Sequence, residues 1–202
     1  MDAAEIESEG EELRALADLD DEPATGMQFA ARLPWVFAIT RVWSDDKRRA
    51  WRAENDDGLD TIFVHRGIRE LGRNWLVASE GVEGYLTRRE PALVDPNLKA
   101  LAWQITSASL LPRYGFRRSL SVLGLDLRAL SAHWSVSQTV VARRVAEVRG
   151  LPFALITAQK VLRAGLELSA PQLAVLVHRG GSRHYQVLEL SDVKGWIVWP
   201  RE

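Results

Sequence analysis

The 202-residue chain contains no cysteine. This absence excludes disulfides, iron–sulfur clusters, thiolate zinc sites and cysteine nucleophiles, and gives no sign of an oxidising compartment. Long apolar runs are also lacking, since no window approaches the ~18 apolar residues that a membrane span requires. The first residues are acidic, unlike the basic and then apolar start of a signal peptide. We therefore expect a cytoplasmic protein with no membrane partner.

Net charge is small, at a formal −1, but it is distributed unevenly. Residues 1–22 hold ten acids against the single base Arg14, which predicts an acidic tail or a frayed helix. Residues 113–163 hold nine basic side chains against two acids and predict a basic helical region. A solvated tail and a solvated helix face would explain both runs. Alternatively, the tail shields the basic region, or that region meets an anionic partner.

Hydrophobic patterning predicts an α+β fold with a real core, since 47% of the residues are hydrophobic and eight are tryptophan. Strands are predicted at 35–42 and 47–53, and residues 61–64 are predicted as a third strand or the entry to a helix. An apolar stripe with helical spacing predicts a helix over 65–78, followed by a loop over 79–96 and a second helix over 97–111. Toward the C-terminus, strands are predicted at 171–178, 184–190 and 195–199.

The segment Arg69-Glu70-Leu71-Gly72-Arg73 carries the main chemical signal. Two side chains four residues apart, with a glutamate after the first, form the zinc-binding pattern of peptidase helices when both side chains are histidines. Here arginine occupies both positions. A guanidinium has no lone pair for a metal, and two fixed positive charges repel Zn²⁺. The pattern therefore predicts a helix that binds no zinc and a protein without zinc-dependent hydrolytic activity.

This segment resembles the His-Glu-Leu-Gly-His helix of the ImmA/IrrE metallopeptidases. Residues 102–112 and 127–150 resemble the family's following helices in the same order, so the resemblance covers about residues 25–150. It implies a zincin-like small mixed sheet with helices, then a helix-turn-helix-like region and a short C-terminal β unit. The corresponding domains are an acidic tail (1–22), a zincin-like domain without zinc ligands (23–112), a basic helical region (113–163) and a β-rich unit (164–202).

Departures from the family pattern determine the expected site. The resemblance implies a third, carboxylate ligand near residues 99–101, where no acid stands, and Pro96 separates Asp95 from that helix. We therefore expect no metal and no other cofactor, and no catalytic residue beyond a remnant Glu70 in ion pairs with neighbouring arginines. The four histidines are expected at the surface or in packing. The predicted site is instead a positively charged groove lined by Arg66, Arg69 and Arg73.

Residues 127–149 predict a second surface, because a helix, a tight turn at 133–135 and a helix beginning at Ser137 have the form of a helix-turn-helix. Its predicted nucleic-acid contacts are Gln138, Thr139, Arg143 and Arg144, with Arg117 and Arg118 on the phosphate backbone. A purely structural role is the alternative, and a pI near 6.5 argues against a dedicated DNA-binding protein.

Three functions are consistent with these features. The first is a catalytically inactive, peptidase-like regulatory or protein-binding module in bacterial or phage-related gene regulation, stress or defence. The resemblance implies that active relatives cleave a helix-turn-helix repressor, so the partner would be such a regulator, an acidic peptide or the chain's own tail. The second is a DNA-binding transcriptional regulator that uses residues 127–149, and the third is an active metallopeptidase with a displaced site.

The C-terminal strands carry the aromatic residues Tyr185, Trp196 and Trp199. These residues are expected to form either an added sheet edge or a dimer contact.

Overall fold

The computed structural model describes residues 1–44, 49–93, 96–158 and 161–201. Within them the chain forms an α+β fold, as the patterning predicts, with eight helices and seven strands. In chain order these are α1 (Ala3–Leu16), α2 (Gly26–Ala31), β1 (Val36–Val42), β2 (Ala50–Glu54), β3 (Asp60–His65), α3 (Glu70–Arg89), α4 (Asn97–Leu110), α5 (Arg113–Leu123), α6 (Leu127–Trp134), α7 (Gln138–Arg149), β4 (Phe153–Ile156), β5 (Val161–Ala164), α8 (Ala170–Arg179), β6 (Tyr185–Leu190) and β7 (Gly195–Pro200).

The chain divides into two compact units. The first comprises Met1–Val122 and Ala132–Val136, and the second comprises Leu123–Ser131 and Ser137–Glu202. The turn between α6 and α7 therefore belongs to the first unit, whereas α7 belongs to the second. No helix in the described part of the chain is long and apolar enough to cross a bilayer.

A small mixed sheet of order β1-β3-β2 forms the centre of the first unit, with β1 parallel and β2 antiparallel to β3. Ile62 and Val64 of β3 are fully buried and pack with Ala30 of α2 and Val77 of α3. Because successive strand residues alternate between faces, the intervening Phe63 points to the opposite side of the sheet. The two helices α2 and α3 thus cover one face. The start of the strand expected at 47–53, Lys47 and Arg48, lies outside the described residues.

The N-terminal segment is a packed helix rather than the expected acidic tail. Asp2 caps α1 in a capping box with Glu5, and α1 packs along α4. A Cβ added to Gly10 would lie 2.6 Å from the Cβ of Ala108, so the glycine permits this close approach. Leu13 is fully buried. The run of acids obscured this apolar side in the sequence, because most of them occupy the solvated face of the helix.

The third helix begins and ends later than the sequence predicts. Residues 65–68 form a turn, in which the Ile68 amide donates to the His65 carbonyl, so α3 begins at Glu70 rather than at 65. It then continues to Arg89 through the expected loop. Gly81 and Gly84 suggested that loop, but both allow close packing: a Cβ on Gly84 would lie 2.4 Å from Oδ2 of Asp60. The next helix, α4, agrees with the predicted 97–111.

The second unit contains a four-stranded antiparallel sheet of order β5-β4-β7-β6. The expected strand at 171–178 is the helix α8, which Ser169 caps in a capping box and Gly180 ends in a left-handed conformation. Its apolar run resembles a buried strand in sequence, and Leu173 and Leu176 pack against the sheet. Trp199, which was expected as an exposed aromatic, is 2% exposed and belongs to the core.

Candidate functional site

The Arg69–Arg73 segment lies where α3 begins. Arg69 is the N-cap in an extended conformation and makes no side-chain capping hydrogen bond. The Arg73 amide donates to the Arg69 carbonyl at 2.8 Å, which is the first hydrogen bond of the helix. Arg69 and Glu70 are exposed and Arg73 is half-buried. The expected placement of Arg69 within a helix face is therefore wrong, because the preceding turn ends only at Ile68.

Two arginines that the sequence did not single out join this segment. Nε of Arg66 donates to the Arg41 carbonyl at 3.2 Å, which places the end of β1 beside the turn that precedes α3. The His65 amide donates to the Arg49 carbonyl at 3.0 Å. A Cβ added to Gly72 would lie 3.9 Å from Nη2 of Arg49. Arg41, Arg49, Arg66, Arg69 and Arg73 together constitute the arginine patch.

In the part of the chain that the structure describes, carboxylates do not pair with the arginine patch. Across residues 1–44, 49–93, 96–158 and 161–201, none of its five guanidinium groups forms an ion pair. Glu70 was expected to form ion pairs with neighbouring arginines, but it forms no ion pair within the described residues. Arg66 lies in the turn before α3 and is therefore not one helical turn away from Glu70 on the same face. Asp45, Asp46, Lys47 and Arg48 lie outside the described residues. The patch thus combines five fixed positive charges with one acid and the amide-rich start of a helix.

Four other arginines of the first unit, Arg52, Arg88, Arg89 and Arg118, form ion pairs. Asp60 is fully buried, and its carboxylate accepts from Nη1 of Arg88 at 2.7 Å and from Nη1 of Arg52 at 3.5 Å. Arg89 pairs with Glu9 at 2.5 Å, and Arg118 pairs with Glu22. These ion pairs tie strands and helices together. No ion pair within the described residues gives the arginine patch a comparable role.

The residues around α3 do not fit a zinc ion. Zinc requires histidine, cysteine or carboxylate ligands, usually three or four of them, and this segment supplies only Glu70. The second helix offers no carboxylate at 99–101, and Asp95 lies outside the described residues. Near those positions α4 carries Trp103, which is 45% exposed and packs against Trp75 with ring centroids 5.3 Å apart. No group of three metal-binding side chains occurs in the described part of the chain.

An aromatic surface occupies the side of the three-stranded sheet that α2 and α3 leave uncovered. Trp51 of β2 lies opposite Phe63 of β3, and their rings stack with centroids 5.4 Å apart. Trp43, which directly follows β1, meets the His65 ring edge-on at 5.3 Å and is 70% exposed. We call these four residues the aromatic face. In β2 and β3, alternate residues point to this face, and that alternation in the sequence could have indicated the aromatic face.

The predicted helix-turn-helix contacts are mostly engaged within the protein. Helices α6 and α7 are joined by a three-residue turn, and Ser137 caps α7. Gln138 is buried and accepts from the Ser191 amide at 2.9 Å. Arg144 is 2% exposed and pairs with Glu147. Arg143 also pairs with Glu147, at 2.6 Å.

The remaining predicted nucleic-acid contacts, Thr139, Arg117 and Arg118, differ in their exposure to solvent. Oγ1 of Thr139 is buried and has no hydrogen-bond partner within the described residues. Arg117 and Arg118 are exposed on α5, and Arg118 pairs with Glu22. In this conformation the α7 side chains chosen as base contacts are therefore largely withheld from solvent.

Comparison with known proteins identifies a shared fold and no family. A solved structure described as a Mycobacterium tuberculosis transcriptional regulator is similar, with a TM-score of 0.60 and 18% sequence identity over 96% of this chain and 68% of that chain. No family model matches the sequence. No curated protein matches it either.

Proposed function

We propose that the protein is a catalytically inactive, peptidase-like regulatory protein of the ImmA/IrrE type, which binds an anionic partner at the arginine patch and acts in gene regulation. The mixed sheet with a long helix after β3 is consistent with the resemblance of the Arg69–Arg73 segment to that family's zinc helix. The neighbour of similar fold is described as a transcriptional regulator, which supports a regulatory role.

The observation that carries the proposal is the charge of the arginine patch, which forms no ion pair within the described residues. Exposed guanidinium groups bind carboxylate or phosphate in bidentate geometry, and a helix start adds backbone amides that favour an anion. The ion pairs of Arg52, Arg88 and Arg89 hold elements of the first unit together. None of the five guanidinium groups of the patch forms such an ion pair within the described residues. An anionic partner would supply the missing countercharge.

The chain's own acidic segment is a poor candidate for that partner. Glu9 is paired with Arg89 and Glu22 with Arg118, and the Tyr85 hydroxyl donates to Glu9 at 2.8 Å. Its helix packs on α4 through Leu13, so its release would expose core surface. We therefore propose that the partner is a separate molecule.

Calorimetric titration with inorganic polyphosphate at low salt tests the proposal, because this probe carries charge without sequence or aromatic groups. Arg69→Ala with Arg73→Ala is expected to weaken binding at least about tenfold, since each charge-assisted contact contributes roughly 1 kcal/mol or more. Arg179→Ala with Arg183→Ala, which removes the same charge from exposed positions in the second unit, is the matched control. Equal weakening in both variants would show that the patch has no special role.

A second candidate function is DNA binding through residues 127–149. The short turn between α6 and α7 and the regulator of similar fold favour it. Arg128 and Arg149 are exposed on these helices and are suited to phosphate contacts. Duplex binding that is lost on Arg128→Ala with Arg149→Ala and retained on Arg69→Ala with Arg73→Ala would support this function over the first. The reverse pattern would refute it.

A further inference from the structure

We propose that the arginine patch and the aromatic face together form a binding surface for single-stranded nucleic acid. This inference rests on the proposed anion site and names its partner class. It depends on exposed aromatic rings lying beside guanidinium groups that form no ion pair with a carboxylate in the described part of the chain. Single strands are held by this combination, because successive bases stack on aromatic side chains while basic side chains follow the backbone.

The two halves of the surface are joined through His65. Its ring meets Trp43, and its amide donates to the carbonyl of Arg49, so the aromatic face and the arginine patch share one strand end. Arg66, the next residue, donates its own amide to the Val42 carbonyl at 2.9 Å, directly before Trp43. Rings and guanidinium groups are therefore interleaved along the chain rather than grouped separately.

Exposure along β1 indicates an extended occupant. Phe37 is 68% exposed at one end of β1, and Trp43 is 70% exposed just past the other. Six residues of strand separate them by about 20 Å. A bound partner that covers these two rings would remove their apolar surface from water, which is favourable. β1 is an edge strand of the sheet, and no strand of the described residues pairs with its outer side.

Three features favour single-stranded nucleic acid over the other anionic macromolecules. In a duplex the bases are stacked on one another, so their faces are hidden from Trp43 and Phe37. An acidic peptide would satisfy the guanidinium groups but supplies no flat groups for the rings. A single strand presents both phosphates and unstacked bases, and stacking tolerates any sequence because every base has a π-face.

Fluorescence anisotropy with a labelled oligothymidylate of about 12 nucleotides tests the proposal. We expect Trp43→Ala to weaken binding by about tenfold and Trp43→Phe to restore most of it, because stacking needs a ring rather than an indole. Phe37→Ala is expected to weaken binding by a similar factor. Val193→Ala, another exposed apolar residue but in the second unit, is the matched control and should bind as the wild type does.

The arginine patch is tested through salt dependence in the same assay. Arg69→Ala with Arg73→Ala is expected to reduce the slope of log affinity against log salt by about 1.4, since each of the two lost phosphate contacts of a single strand contributes roughly 0.7. A glutamate polymer of similar length, used as competitor, is expected to displace the oligonucleotide poorly.

Failure of this inference and failure of the proposed function give different results. In one outcome, polyphosphate binding depends on Arg69 and Arg73, but the oligonucleotide binds no more tightly than the glutamate polymer, or binds Trp43→Ala as tightly as the wild type. That outcome overturns the nucleic-acid proposal and leaves the anion site standing. Binding of a duplex in preference to the single strand, unaffected by Trp43→Ala, overturns it as well. If neither probe depends on the two arginines, both proposals fail.

Discussion

Replacing Arg14 by methionine should weaken the attachment of the N-terminal helix to the rest of the first unit. Arg14 is 3% exposed, and its guanidinium donates to the Ser109 carbonyl at 2.8 Å, to the Glu22 carbonyl at 2.8 Å and to the Asp20 carbonyl. The Ser109 carbonyl lies in the last turn of α4, where carbonyls lack partners within the helix. Methionine has a similar length and apolar stem, so Arg14→Met removes the donors while retaining most of the packing.

The three hydrogen bonds do not contribute equally. Asp20 and Glu22 are exposed, so their carbonyls can turn to water, whereas Ser109 is fully buried. An orphaned buried carbonyl costs about 1–3 kcal/mol, and a hydrogen bond from a charged donor contributes roughly 1.5–3 kcal/mol. Burial of the charge offsets part of this gain, since desolvation lowers the pKa of Arg14 and its Nε has no partner within the described residues. A net loss of about 2–4 kcal/mol follows.

Thermal unfolding followed by circular dichroism should show this loss as a decrease in Tm of roughly 6–15 °C for the first unit. Hydrogen exchange of peptides from α1 should show the greatest loss of protection, because the Ser109 contact holds that helix on α4. Arg113→Met replaces an exposed arginine at the start of α5 and is the matched control. A Tm change under about 2 °C with unchanged exchange in α1 would refute the anchoring role of Arg14.

Three further changes probe the packing and the buried charges of the first unit. Gly26→Ala should lower the free energy of unfolding by at least about 2 kcal/mol in urea, because its Cβ would lie 1.8 Å from the Asn74 carbonyl oxygen. Burial, with a hydrogen bond to Glu9, raises the pKa of Tyr85 to about 12, so one tyrosine should ionise late in an ultraviolet titration. The stability that this raised pKa contributes is present below about pH 10 and is lost as the pH rises through about 12. Asp60→Asn should cost about 2–3 kcal/mol in urea, because it removes the carboxylate that pairs with Arg52 and leaves Arg88 only its pair with Glu54 at 3.7 Å.

Each of these changes has a control on the same chain. A Cβ on Gly67 would meet only the His65 side chain, at 3.2 Å, so Gly67→Ala should be tolerated. Tyr114 is 70% exposed, and Tyr114→Phe should leave the late-ionising tyrosine in place. Asp57 lies in an exposed turn, and Asp57→Asn should change stability little. Losses in the controls as large as those at the buried positions would contradict the packing that we describe.

The sequence predicted the fold class because the strands at β1 and β3 and the helix α4 have clear apolar patterns. At α1 it offered a frayed helix or an acidic tail and missed the packing, because five acids within the helix masked a narrow buried side that includes Leu13. It also failed across α3, since Gly81 and Gly84 are typical of loops and here serve close packing. The apolar run of α8 was assigned to a strand because periodicity alone does not separate a short buried helix from a strand.

The candidate site was predicted in part. Arg66, Arg69 and Arg73 are close in sequence, so a local motif found them. Arg41 and Arg49 join them only through the pairing of β1 and β2 with β3, which no local pattern indicates. Similarly, the helix-turn-helix form was readable from its turn and its cap. The burial of Gln138 and Arg144 was not, because polar residues on a predicted helix are usually assigned to its solvated face.

The central claim is that the arginine patch is an anion-binding site rather than the remnant of a metal centre. The most direct measurement is the salt concentration that elutes the protein from immobilised heparin. We predict that Arg69→Glu with Arg73→Glu elutes well before the wild type, whereas Arg179→Glu with Arg183→Glu, which changes net charge equally, elutes close to it. Equal shifts in the two variants would show that net charge alone governs binding and would contradict the claim.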